Sequence, residues 1–309
     1  MKKKGELTTQ QIVMLIILIT SFAVILFLLF RLNLGKETDK EICHNSVVMR
    51  GNSVLPKDAV SLNCKTKYLC ITEDGTCEGL TKPEIKKVKE KTEVYKILAD
   101  EMADCWWMFG EGKVNYVGSD FSHNNYCSIC SQVVFDNSLK KIKEIKNGKI
   151  SKDELYEYLS ETNMGEEKIT YSEYLLGTND IKSIKQEFFE KKGVDSFGSI
   201  EIDKPYFVVM GITSGIGNTY KWIGGGAIVL GVITFPITSV PTAVGAILVG
   251  SGIMSGVGGG QVAGLFEPEI GALTTNGKGI DNQFMLPTIL EVDSEKFKQL
   301  NCEEVLTFQ

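Results

Sequence analysis

Histidine is almost missing from this chain: there are two in 309 residues, His44 and His123. Neither accompanies a recognisable nucleophile motif, so nothing in the sequence favours a Ser–His–Asp assembly, although such triads are built in space rather than along the chain. Phosphate-binding signatures are absent as well. Gly215-Ile216-Gly217-Asn218 lacks both the Lys-Ser/Thr of a phosphate loop and the third glycine of a dinucleotide turn. An excess of positive charge is missing too: 33 Lys and Arg stand against 39 Asp and Glu, a net charge of −6. That balance argues against nucleic acid as a partner. The carboxylates are scattered over predicted helix faces instead of being gathered. The expectation is a non-enzymatic protein without a cofactor.

Charge is missing altogether from two stretches, and these dominate what is present. Ile12 to Phe30 holds nineteen uncharged residues, fifteen of them Leu, Ile, Val or Phe. As a helix it would be roughly 28 Å long, about the hydrocarbon thickness of a bilayer. Insertion would be favoured by about 5 to 9 kcal/mol. Lys2, Lys3 and Lys4 precede it and Arg31 closes it, so the positive-inside rule places the N-terminus in the cytoplasm and the bulk of the chain outside. The run is too long for a secretory leader, and no small-residue cleavage site comes after it. The expectation is a single N-terminal anchor in the cell membrane, with the lipid bilayer as a partner.

Cysteine is missing before residue 43. All eight (Cys43, Cys64, Cys70, Cys77, Cys105, Cys127, Cys130 and Cys302) come after the apolar run. An even count on one side of a membrane is what an oxidising compartment permits, so all eight are disulfide candidates. Cys70 and Cys77 are near enough to bridge one loop, and a Cys43–Cys302 bond would tie the two ends of an ectodomain. Within Tyr126–Phe135, Cys127 and Cys130 form a CxxC. With Cys105 and His123 it offers four zinc ligands, or alone a redox pair. A strand is the competing reading. Residues three apart on a strand are about 10 Å apart and on opposite faces, which rules out a mutual disulfide. Cys127, Ile129, Val133 and Phe135 then share a face.

Along the chain, Ser46–Met49 and Tyr68–Ile71 read as strands. Thr81-Lys82-Pro83-Glu84 reads as a helix start with a capping box. An apolar stripe continues through Ile85, Val88, Thr92, Tyr95, Leu98, Met102, Cys105 and Phe109, ending at Gly110. Trp106 and Trp107 are expected to pack at that helix end. Asn147–Leu155 imitates the second half of a calcium loop, but its earliest ligand positions fall on Lys143 and Ile145, so a turn and a helix capped by Ser151 and Glu154 are expected instead. Lysines 140, 141, 143, 146, 149 and 152 suggest a solvated face. A polar helix is expected over Ile181–Lys192, and a buried strand over Tyr206–Met210. Near the end, a strand split by Pro287 and a short helix from Asp293 lead to Cys302.

The second uncharged stretch, Trp222 to Phe266, has 45 residues of which twelve are glycine. Pro236 and Pro241 divide it into two arms, and Gly252, Gly256, Gly260 and Gly264 recur every fourth residue. On a helix that spacing makes a groove for close packing. The expectation is a glycine-rich helical hairpin, either membrane-associated or buried, and a site for self-association or for other membrane proteins. The fold class expected is thus α+β: a transmembrane helix, a disulfide-stabilised mixed ectodomain and this hairpin. The boundaries are 1–31 for tip and anchor, 32–220 for the ectodomain, 221–266 for the hairpin and 267–309 for a closing strand and helix.

Before the first apolar run, Lys4-Gly5-Glu6-Leu7 and the polar Thr8–Gln11 resemble the N-terminus of archaeal type IV pilin-like precursors over about 30 residues. The resemblance implies cleavage after Gly5, before Glu6, with the helix retained. Bacterial-type pilins usually carry a Glu five residues after the cut, where this chain has Gln10. The function expected is an extracytoplasmic structural or interaction protein of the cell envelope, including a pilin-like subunit. The alternatives are a fusion or pore-forming protein using 222–266, or a thiol-redox or zinc protein built on the CxxC.

Overall fold

The computed structural model describes residues 9–31, 38–55, 59–78, 80–117, 125–145, 147–192, 196–214, 228–235, 243–250, 269–275, 282–300, 302–305 and 307. In chain order these form α1 (Thr9–Arg31), α2 (Asp39–Asn52), β1 (Lys67–Thr72), β2 (Glu84–Lys87), α3 (Lys91–Met108) and β3 (Asn125–Phe135). Two short 3-10 turns come next at Asn137–Lys141 and Lys143–Ile145, then β4 (Lys149–Ser151), α4 (Lys152–Glu161), α5 (Tyr171–Leu176) and α6 (Ile181–Lys192). The chain closes with β5 (Ser199–Glu201), β6 (Tyr206–Ser214), β7 (Ile228–Phe235), β8 (Ala243–Gly250), β9 (Glu269–Thr275), β10 (Asn282–Glu291), α7 (Glu295–Gln299) and β11 (Cys302–Val305).

A nine-stranded sheet carries the molecule, in the order β2-β1-β3-β6-β10-β9-β8-β7, with β11 added beside β3. β1 is parallel to both β2 and β3, while β6 to β10 pair antiparallel with their neighbours. α3 packs across β3, β6 and β10, with α2, α4 and α5 against it. The main core lies between that helix and the sheet, around Leu69, Ile71, Leu98, Phe109, Val133, Val208 and Phe284.

Local chemistry explains the helix bounds. Thr38 caps α2 reciprocally with Glu41, and at the start of α3 the Glu93 carboxylate accepts from the Lys89 and Glu90 N–H groups. α3 has no glycine or proline inside it and ends where Gly110 turns left-handed at φ +76°. There Gly110 N–H donates to Trp107 O at 3.0 Å and Glu111 N–H to Trp106 O at 3.0 Å. This double closure satisfies the last free carbonyls. Ser151 accepts from Glu154 N–H to start α4, as expected.

The sheet reads both of its faces through two bulges. On β3 the register with β6 shifts between Ile129 and Ser131. Cys127 therefore belongs to a small second core with Val209, Met285, Leu290 and Leu300, whereas Cys130, Val133 and Phe135 face the main one. The expectation that Cys127, Ile129, Val133 and Phe135 share a face fails because one extra residue inverts the alternation. On β10 the shift lies between Met285 and Thr288, around Pro287, and likewise keeps one strand continuous. Pro287 has no N–H to give a ladder, and a bulge is where a strand tolerates that.

The disulfide expectation holds in kind, with four bonds: Cys43–Cys64, Cys70–Cys77, Cys105–Cys130 and Cys127–Cys302. Cys70–Cys77 bridges one loop as expected, but Cys43 bonds Cys64 and not Cys302. The mixed α+β architecture is present. Among the described residues no helix is long and apolar enough to cross a membrane. The expected single membrane anchor, and the localisation built on it, is set aside.

The helical hairpin is also overturned. Within 221–266 the described residues are β7 and β8, two antiparallel strands of the main sheet. Five of the eight residues of Ile228–Phe235 are β-branched, which suits a pleated surface better than a helix. Gly252, Gly256, Gly260 and Gly264 lie outside the described residues, as do Gly5 and Glu6.

Two smaller expectations change as well. Ser46–Met49 lies in α2, not in a strand, because Thr38 and Glu41 start a helix ahead of it. Glu84–Lys87 is an edge strand, and the helix begins at Lys91, where the working cap sits. The stripe from Tyr95 to Phe109 is buried, but Ile85 is 46 % exposed.

Candidate functional site

A groove of about 1440 Å3 runs along the exposed flank of α3. Its floor is one face of that helix, from Lys96 through Asp100, Glu101 and Asp104 to Trp107. Its walls are the start of α2, the β1–β2 edge and the turn at 164–167 with Tyr174 of α5. The helical period places Asp100, Asp104 and Trp107 one above another. Their neighbours on the inner side of α3, Leu98, Met102 and Cys105, anchor it to the sheet. The Cys105–Cys130 bond fixes the groove floor to β3.

The deepest charge is Glu101, only 6 % exposed. Lys67 Nζ reaches it at 2.5 Å and Glu84 at 3.2 Å. Burial pushes the Glu101 carboxyl above its ordinary value, and Asp104 adds to that, while Lys67 opposes it. Burial alone would lower Lys67, but Glu101 and Glu84 together lift it above the usual lysine value. Lys67 is thus held charged and cannot serve as a neutral base. On the rest of the floor and the β1–β2 wall, Lys96 pairs with Asp100 at 2.7 Å, Lys40 with Asp104, and Lys86 with Glu84 at 2.5 Å.

At one end, Trp107 forms an aromatic platform. The His44 ring stacks on it with centroids 4.0 Å apart and 12° between planes. His44 Nδ1 is 2.7 Å from the Trp107 carbonyl oxygen, so it donates there. Lys40 Nζ stands 5.3 Å from the ring centroid, a cation–π distance. Opposite, Tyr174 donates its hydroxyl to Glu111 at 2.7 Å and Tyr171 donates to Asp100. Burial, then these carboxylate partners, pushes both phenols far above the ordinary tyrosine value, so both stay protonated donors.

The residues expected to carry chemistry are scattered or already used. Cys105 and Cys130 bond each other and Cys127 bonds Cys302, which removes three ligands from the zinc set and breaks up the CxxC redox pair. His123 lies outside the described residues. Among the described residues no three His, Cys, Asp or Glu side chains gather as a metal site would need. Lys152, expected on a solvated face, is 6 % exposed, and Lys146 lies outside the described residues. Trp106 is buried, while Trp107 emerges into the groove.

Sequence reasoning missed Lys67, Glu101 and the His44–Trp107 pair. One signal was present: Glu101 interrupts the apolar stripe between Leu98 and Met102, where a carboxylate requires a partner. His44 and Trp107 are 63 residues apart, and nothing local joins them. The chain matches no protein-family model, no curated protein and no solved structure.

Proposed function

We propose that the protein is a non-catalytic, disulfide-stabilised interaction protein of an oxidising compartment, holding an extended segment of a partner protein in the α3 groove. The observation that carries this reading is that the groove is wide and the charges along its floor and β1–β2 wall are paired. A volume of about 1440 Å3 exceeds the roughly 300–1,000 Å3 of small-molecule sites. Each of its carboxylates at 84, 100, 101 and 104 has a lysine partner, and Lys67 is kept charged. Such groups recognise a chain carrying both signs of charge. Ser128 and Ser131, the serines beside the CxxC cysteines, are wholly buried and offer no accessible nucleophile. Four disulfides suit an oxidising compartment.

The test is a library of extended peptides with mixed Lys/Glu charge and one apolar residue, read by fluorescence polarisation on the oxidised protein. Binding should weaken at least tenfold in Trp107→Ala and fall as salt rises. Mass spectra of the recovered peptides should be unchanged. Cleavage or modification of a peptide, or binding indifferent to Trp107, overturns the reading.

A further inference from the structure

Two parallel strands share one edge of β3. Ser131–Phe135 pairs with β1, and Asn125–Cys127 pairs with β11, the last strand of the chain. The two are collinear and meet at Ile129. There the Ile129 N–H donates to Thr307 Oγ1 at 3.1 Å, and its carbonyl accepts from Thr66 Oγ1 at 3.0 Å. β6 covers the other edge of β3 along its length.

β11 is short, and its ladder is interrupted between Cys302 and Glu304. It is fastened by the Cys127–Cys302 bond, which joins positions 175 residues apart. α7 just before it has its own anchor, because Leu300 is buried with Val209, Met285 and Leu290. Opening the bond therefore leaves α7 in place and frees only the chain beyond Leu300. The bond can be reached: Cys302 is partly exposed, whereas Cys43, Cys64, Cys105 and Cys130 are at most 2 % exposed. Cys77 is also partly exposed, but its bond closes a turn after β1 and does not touch β3.

We propose that Cys127–Cys302 is a redox latch: a dithiol reductant opens it, β11 leaves, and the backbone edge of β3 from Asn125 to Ile129 becomes available to an extended chain running parallel to it. A thiolate of the dithiol attacks Cys302 Sγ, and the disulfide breaks. Cys127 leaves as a thiolate and takes a proton. The second thiol of the dithiol then resolves the mixed disulfide, releasing Cys302 as a thiol and closing the reductant's own disulfide. Two electrons and two protons pass to the protein. The exposed edge presents unpaired N–H and C=O groups, the feature that strand addition uses.

Residue-resolved hydrogen exchange on the full chain tests this, comparing the oxidised protein, the protein treated with dithiothreitol without denaturant, and Cys127→Ala/Cys302→Ala. With the bond open, the amides of 125–129 that face β11 should exchange at least tenfold faster. Amides of β6 and α3 should be unchanged, and a synthetic peptide of residues 301–309 in excess should restore protection. Three outcomes overturn the latch. The first is retained protection at 125–129 with the bond open, and the second is failure of dithiothreitol to open this bond while it opens Cys43–Cys64 or Cys105–Cys130. The third is loss of protection throughout the sheet in both the variant and the reduced protein, which makes the bond a staple of the whole sheet.

Discussion

A single glycine closes the helix that carries the groove. Gly110 stands at φ +76°, and an added Cβ would lie 3.3 Å from Val114. Both the backbone and the neighbour oppose a side chain there. Gly110→Ala should destabilise the protein by about 1–2 kcal/mol in urea titrations, with the midpoint lowered and the slope unchanged. The Lys67–Glu101 pair behaves differently, because its members depend on each other. Lys67→Met strands a carboxylate that is 6 % exposed, a loss of about 2–3 kcal/mol after allowance for the part-exposed lysine. Lys67→Met/Glu101→Leu should recover most of that loss, since an apolar pair no longer carries a buried charge. A double variant no more stable than the single would show that the pair holds the local fold in some other way.

At the scale of elements, the bulge in β3 turns Val133 and Phe135 onto the main-core face that Cys130 takes, while Cys127 and Ile129 stay on the other. Cys127 and Cys130, three apart, fall on opposite faces as strand alternation requires, so one bonds Cys302 on the α7 side and the other bonds Cys105 of α3. The Cys105–Cys130 bond closes a separation of 25 residues, worth about 3–4 kcal/mol in the chain-entropy estimate. Cys105→Ala/Cys130→Ala should lose roughly that much stability, since the helix floor of the groove is no longer tied to the sheet. A parallel loss of peptide binding at temperatures where the variant remains folded would show that the tie also shapes the groove. Unchanged thermal unfolding would mean that packing of Leu98, Phe109 and Val133 fixes α3 by itself.

For the molecule as a whole, pH reports how its carboxylates are held. Lys141, then Thr76, holds Asp74 well below its ordinary value. Burial raises Asp153, but Lys185, Ser196 and the Phe197 N–H outweigh it, and its net shift is downward. Lys149 and then Lys204 lower Glu201. A carboxyl depressed in the fold contributes stability above its unfolded value of about 4, and that contribution is lost as pH falls through the folded value. Glu101 has the opposite sign: its raised value slightly favours the fold as pH drops below that value. Three depressed groups outnumber it, so the unfolding midpoint should hold between about pH 5 and 7 and fall steeply below about pH 4. A midpoint that rose on acidification would contradict the ion pairs. The four bonds leave no free cysteine among the described residues. The denatured, unreduced protein should therefore take up no thiol label, and after reduction it should take up eight.

Local rules were enough for the parts of the fold that local chemistry decides. The limits of α6 at Ile181–Lys192, the Ser151 cap of α4, the strand at Tyr206 and the loop bond Cys70–Cys77 come from periodicity, capping and short spacing. The presence of disulfides came from the even cysteine count. Tertiary structure decided the rest. The bulge inverts which face Val133 and Phe135 take, and the Cys127–Cys302 pairing across 175 residues was beyond any local pattern. Glycine-rich, β-branched segments fit either a helix or a strand until neighbouring strands supply hydrogen bonds, and here β7 and β8 found them. Apolar character suggested a membrane span at the N-terminus, whereas among the described residues no helix is long and apolar enough to make one. The groove joins α2, the β1–β2 edge, α3 and α5. The sequence marked it only by one carboxylate, Glu101, set where an apolar residue was due, because a buried charge reveals a need for a partner without saying which residue will meet it.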